Sequence, residues 1–238
     1  MYFFFSGEGV TDLGTSNDKP GPLALVADQI IAEHHHYSFL KSCAVFVHPA
    51  ELEQIKPQLR TAPRSPGLRG LKTPAENRLH RKDAAALAYT ATSHIRTKED
   101  KEFVAVLFRD SNSPDEKEWN DKRNSMLNGF RDQAIEGRGV AAVARPISEA
   151  WWLNALDRKA NPNRIGKKYD EMRRGGNEGD HRLKKELGED GQRVALVKMV
   201  ENEEIDYKLI DSESFLAFRR DFETAVGLEH LYYTKATP

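Results

Sequence analysis

Four short apolar runs, separated by stretches that carry helix-start signals, constrain this chain most. They are residues 2–5 (YFFF), 43–48 (CAVFVH), 101–109 (containing EFVAVLF) and 139–145 (GVAAVAR). Each is nearly continuous rather than alternating, as in a strand buried on both faces. Pro49 and Pro146 stop the second and fourth. A helix is predicted from 22 to about 36, with Leu23, Ala27, Ile30 and Ile31 on one face. A short one is predicted over 50–59. Thr73-Pro74-Ala75-Glu76 is a capping box that opens a helix to about 96. Ser113-Pro114-Asp115-Glu116 is a second, opening a helix to about 136 with Trp119, Met126, Leu127, Phe130 and Ala134 on its apolar face. Ser148 is placed to cap a helix containing Trp151 and Trp152. Strand and helix alternating in this way predict an α/β fold with a mostly parallel, Rossmann-like sheet flanked by helices over residues 1–156.

After residue 156 the pattern changes. Residues 157–191 are polar, basic and glycine-containing, and helices follow over 193–200 and 214–226. The second carries Phe215, Phe218 and Phe222 at helical spacing, which predicts a core stripe. Residues 157–238 therefore form a basic loop and a helical C-terminal extension packed on the sheet domain.

Charge is unevenly distributed. The formal net charge is −1, yet residues 56–82 hold eight Lys/Arg against one acid, and residues 158–185 hold ten against four. Two such segments suggest an anionic partner, and nucleic acid is the expectation. The candidate phosphate contacts are Arg60, Arg64, Arg69, Lys72, Arg78, Arg81 and Lys82 in the first segment, and Lys167, Lys168, Arg173 and Arg174 in the second. His80 is a further candidate contact. No run approaches the 18 or so apolar residues of a membrane span, and the apolar start is too short for a signal peptide. One cysteine, Cys43, excludes an internal disulfide and a multi-cysteine zinc site. The expectation is a cytoplasmic chain with no membrane partner, oligomeric or not.

Acids follow the apolar runs. The first leads to Glu8 between two glycines, with Asp12 beyond; the third leads through Arg109 to Asp110; the fourth leads through Pro146 to Glu149. In parallel sheets the crevice lies at the C-terminal strand ends, so Glu8, Asp110 and Glu149 should line one edge. Hard divalent cations take a few such oxygens and keep several waters, so Mg²⁺ or Mn²⁺ is the expected cofactor. His34-His35-His36 point about 100° apart in succession and cannot readily share one ion. Of Trp151 and Trp152, the same rotation predicts one core and one half-exposed ring. Cys43 is expected as a buried hydrophobe, and His48 as a turn residue that could face the crevice.

In motif order the chain resembles TOPRIM-related bacterial proteins, the domain type of topoisomerases, DnaG-type primases and OLD-family nucleases. The resemblance rests on SGEGVTDLG at 6–14, VLFRDSNS at 106–113, ARPISEAWWLNAL at 144–156, HRLKKEL at 181–187 and SESFLAFRRDF at 212–222. It implies a TOPRIM-like fold and metal-dependent nuclease or nicking activity on DNA or RNA, with Glu8 and Asp110 catalytic. It implies a metal set of Glu8, Asp110, Asn112 and Glu149, with Asp12 and Asp115 as further candidates. Asn112 stands where the Asp-x-Asp pattern has its second aspartate. The resemblance also implies a separate ABC- or SMC-type ATPase partner in antiviral defence, since this chain has no P-loop. The alternatives are a catalytically weak or inactive binding subunit of such a complex, and a small-nucleotide phosphohydrolase.

Overall fold

The computed structural model describes residues 1–8, 12–59, 75–98, 102–135, 137–162 and 192–228, with the side chains of 75–79 and 192 outside that description. Strands β1 (Tyr2–Ser6), β4 (Ala44–Phe46), β5 (Phe103–Asp110) and β6 (Gly139–Ala144) form one parallel sheet in the order β4-β1-β5-β6. A small antiparallel pair, β2 (Gly14–Ser16) and β3 (Lys19–Pro20), follows β1 in a stretch whose sequence predicts only a polar turn. The helices are α1 (Pro22–His35), α2 (Pro49–Ile55), α3 (Ala75–Ile95), α4 (Glu116–Asp132), α5 (Glu149–Ala160), α6 (Gln192–Glu201) and α7 (Glu213–Ala225). The fold is α/β with a parallel sheet flanked by helices, of Rossmann-like kind.

The apolar runs are strands buried on both faces because successive side chains point to opposite sides. Phe3, Phe5, Val104, Val106, Phe108, Val140 and Ala142 join a core with α1, α5, α6 and α7. Phe4, Ala105, Leu107, Ala141 and Val143 join the other core with α2, α3 and α4. Each fully buried phenylalanine contributes about 1.5–3 kcal/mol. The connection through α1 carries the chain from β1 to β4 on one side. The connection through α2 and α3 carries it back past β1 to β5 on the other. The strand order therefore reverses between β1 and β5, where α/β sheets open a crevice at their C-terminal ends.

Several expectations are corrected. Asp115, not Ser113, caps α4, its carboxylate accepting the Glu118 N–H at 3.0 Å. Ser113 instead accepts the Asp115 N–H one step earlier. That helix stops at Asp132 rather than near 136, because Ala134 lies in the left-handed region at φ 56°. Trp151 and Trp152 are both buried, at 0% and 1% exposure. The extension accounts for this. Trp151 stacks on Phe218 of α7 and donates its indole N–H to Ser214 Oγ at 2.8 Å. Cys43 is only partly buried at the rim of the core. The Thr73–Glu76 capping box falls outside the described side chains.

Candidate functional site

β1 ends at Ser6, and the chain turns through Gly7 into Glu8; β5 ends on Asp110 itself. Because Ser6 pairs with Leu107 in parallel register, both acids emerge at the C-terminal edge, one on each side of the switch point. Two further acids arrive from connections. Asp12 precedes β2, and its carbonyl accepts the Leu23 N–H at 2.9 Å, holding the turn against the start of α1. Gly14 makes that turn possible. It sits at φ +94°, and a Cβ there would lie 2.3 Å from the Lys19 carbonyl. Glu149 is the first residue of α5, reached from β6 through Pro146 and Ser148.

Ser148 ties the group together. Its N–H donates to Asp110 Oδ1 at 3.0 Å. Its hydroxyl bonds the Asp12 carboxyl and lies 3.5 Å from Glu149 Oε2. Ser148 is therefore at the cap position of α5 as predicted, but its hydroxyl makes no capping bond, because the acids occupy it. Desolvation, then the charges of Asp12, Glu149 and Glu8, hold the Asp110 carboxyl well above the usual range; the Ser148 N–H opposes them. Asp12 is pushed up to about 6 by burial, opposed by the Ser148 hydrogen bond, with Glu149 and Glu8 adding repulsion and Arg193 relieving some of it. Four carboxylates thus act on one another at the switch point.

Fixed cations brace this edge from outside. Arg109, 5% exposed, donates from Nη2 to Asp83 Oδ2 at 2.8 Å and from Nη1 to the Phe108 carbonyl at 2.8 Å. Its Nε lies 3.7 Å from Glu8 Oε1. Asp83 also pairs with Lys56. The buried Lys122 donates to the carbonyls of Asp110 (2.8 Å) and Ser111 (3.2 Å), fixing the backbone where β5 ends. Sequence reading took Ser148 only as a helix cap and gave Arg109 and Lys122 no role at the site. Lys122 had a signal: it falls between Trp119 and Met126 at helical spacing, a lysine on an apolar face.

The expected metal set is only partly assembled. Among the described residues no three His, Cys, Asp or Glu side chains are arranged to hold one ion. Asn112 has a backbone reason to be asparagine. It sits at φ 59°, which Asn tolerates better than most residues, and its N–H donates to the Pro146 carbonyl at 2.8 Å. The additional carboxylate comes instead from Asp12. Asp115 is spent on the α4 cap. His48 caps α2 through Nδ1, which accepts the Ala50 N–H at 3.2 Å.

Of the expected phosphate contacts, Arg81 is held by Asp132 through two bonds of 2.6 and 2.7 Å, whereas Lys82 is exposed. His80 is buried, at 7% exposure, which removes it as a surface phosphate contact. Arg158 and Lys159, which open the second basic segment, are engaged by Asp211 and by the carbonyls of Glu203 and Glu204. Arg60, Arg64, Arg69, Lys72, Lys167, Lys168, Arg173 and Arg174 lie outside the described residues, as does the Arg78 side chain. No helix among the described residues is long and apolar enough to cross a membrane. Compared with protein families, curated proteins and solved structures, the chain matches none.

Proposed function

We propose that this chain is a divalent-metal-dependent nuclease whose centre lies at the switch point between β1 and β5. One observation carries the reading: Glu8 and Asp110 stand on the two sides of that crevice, with burial, and then the nearby charges of Asp12 and Glu149, raising the Asp110 carboxyl well above its ordinary range. Crowded carboxylates need a proton or a cation between them. The donor set, all carboxylate oxygen, fits a hard cation. Mg²⁺ needs only one or two protein carboxylates beside water and phosphate, so the lack of a three-group cage among the described residues is compatible with it. Glu8 and Asp110 would hold the ion, with Asp12 and Glu149 in support. Bound there, it would offset charge on a phosphoryl group and activate a water.

The chain's own groups prepare the site. Ser148 orients Asp110 and Asp12, Lys122 fixes the backbone of Asp110, and Arg109 keeps Glu8 against the β5 end. In the reaction, the water oxygen bonds to phosphorus, the P–O ester bond breaks, and the water's proton passes to solvent or to the departing oxygen. The basic segments would supply sequence-independent, salt-dependent contact with the strand. Motif order supports a TOPRIM-type assignment and a separate ABC- or SMC-type ATPase partner in antiviral defence.

The test is cleavage of labelled DNA and RNA with Mg²⁺ or Mn²⁺. Glu8→Ala and Asp110→Ala should each abolish it while the circular dichroism spectrum stays unchanged. Full activity in both variants would overturn the assignment. The lack of a three-group cage among the described residues favours a second reading, a regulatory subunit that binds without cutting. No thermal shift with millimolar Mg²⁺ or Mn²⁺ would select it.

A further inference from the structure

A pocket of about 230 Å³ adjoins the acids over the C-terminal ends of β1 and β4. Phe5, Phe46 and Val47 give it an apolar wall, and Ser6, Glu8, Thr15 and His48 are polar residues of its lining. Glu8 belongs both to this pocket and to the acidic group, so an occupant would lie directly beside the reacting centre.

Three features define that occupant. The volume is below the roughly 300–1,000 Å³ of pockets for drug-sized ligands, so it suits one ring system with its sugar rather than a dinucleotide. Among the described residues no Lys or Arg lines it, and the histidine there, His48, already uses Nδ1 in the α2 cap; the pocket therefore suits an uncharged group rather than a phosphate. Ser6 is only 2% exposed, yet its hydroxyl has no hydrogen-bond partner among the described residues. Buried hydroxyls are almost always paired, so the unpaired hydroxyl of this wall residue is available to a ligand's polar edge once its side chain turns toward the pocket. A flat ring with an apolar face and hydrogen-bonding edges meets all three conditions.

We propose that this pocket receives one unstacked nucleoside next to the phosphate acted on at Glu8 and Asp110, so the substrate is single-stranded nucleic acid or a strand end. The inference rests on the nuclease reading above. A base inside a continuous duplex cannot enter such a pocket without leaving its stack.

The experiment compares cleavage of one sequence as single strand and as blunt duplex, with Mn²⁺, for the wild type, Ser6→Val and Thr15→Tyr. Thr15 is exposed, so a tyrosine there fills the pocket without disturbing the core. The single strand should be cut at least about tenfold faster, and both variants should lose that preference. Equal rates on the two substrates, or a preference untouched by both variants, would overturn the proposal. Should no polymer be cut, binding of a nucleoside 5′-monophosphate followed by NMR decides separately. Shifts at Ser6, Val47 and Thr15 that vanish in Thr15→Tyr would uphold the pocket while the nuclease reading falls. No shifts at about 10 mM would sink the pocket proposal.

Discussion

Two charged regions of this molecule contain the same residue types and differ in how they are matched. Along the β6 edge, between α4 and α7, each of three arginines faces a carboxylate. Arg145 bonds Glu213 at 2.9 Å, Arg123 meets Asp221, and Arg158 meets Asp211. Around a cavity of about 660 Å³ there, charge is balanced locally. At the switch point, Glu8, Asp12, Asp110 and Glu149 crowd together, and Arg109 stands 3.7 Å from Glu8 without bonding the other three. Matched pairs hold elements together. Crowded like charges cost stability, and a fold that keeps them points to a use for the misfit.

Conservative substitutions break this comparison most sharply. Asp110→Asn and Glu8→Gln keep shape and remove charge, and each should lower metal-dependent cleavage by about 10²–10⁴-fold. Glu213→Gln, in the matched region, should leave the cleavage rate within about twofold by the same scale. Equal losses in both regions would erase the distinction.

Arg109 joins matched to crowded, and Arg109→Met should destabilise the fold by about 3 kcal/mol, the lower end for a broken buried pair because Lys56 remains on Asp83. Urea unfolding with an unchanged slope would measure it. A cost near zero would mean Arg109 does not brace the site.

The crowded acids also set a pH dependence. Burial pushes Asp12 up to about 6 from an ordinary 3.8, and burial with the neighbouring carboxylates holds Asp110 well above its ordinary range. Between those values the folded chain binds more protons than the unfolded one, so these groups lower stability as pH rises. At about pH 8 without metal, Asp110→Asn should be more stable than wild type, and the gap should close near pH 4. Millimolar Mg²⁺ should narrow it at pH 8 by stabilising the wild type alone. A gap that widens toward low pH would contradict the sign. The smallest effect belongs to the exposed Arg81–Asp132 pair, where Arg81→Ala should cost about 0–1 kcal/mol and less in high salt.

Much of the scaffold was legible in residue order. Apolar runs such as EFVAVLF admit little besides a doubly buried strand, and helix starts such as Gly21-Pro22 follow local rules. Glu8 and Asp110 were legible too, because a strand carries its terminal residue to the sheet edge whatever the surroundings. The backbone role of Asn112 was not legible, because its positive φ goes with a hydrogen bond from its N–H to the carbonyl of Pro146, 34 positions away. The expectation that one of Trp151 and Trp152 would be half-exposed failed, because residues beyond 190, among them Ser214 and Phe218 on Trp151, pack against this helix.

By itself, then, the sequence determined the strands, the alternation with helices and the placement of two acids, since these depend on periodicity and short-range stereochemistry. Only the tertiary structure decided that the order reverses between β1 and β5, that Asp12 returns to meet Asp110, and that Ser148 bonds both. Those facts depend on which distant segments pack together, and burial and like-charge repulsion, the forces that shift Asp110 and Asp12, arise only once they do.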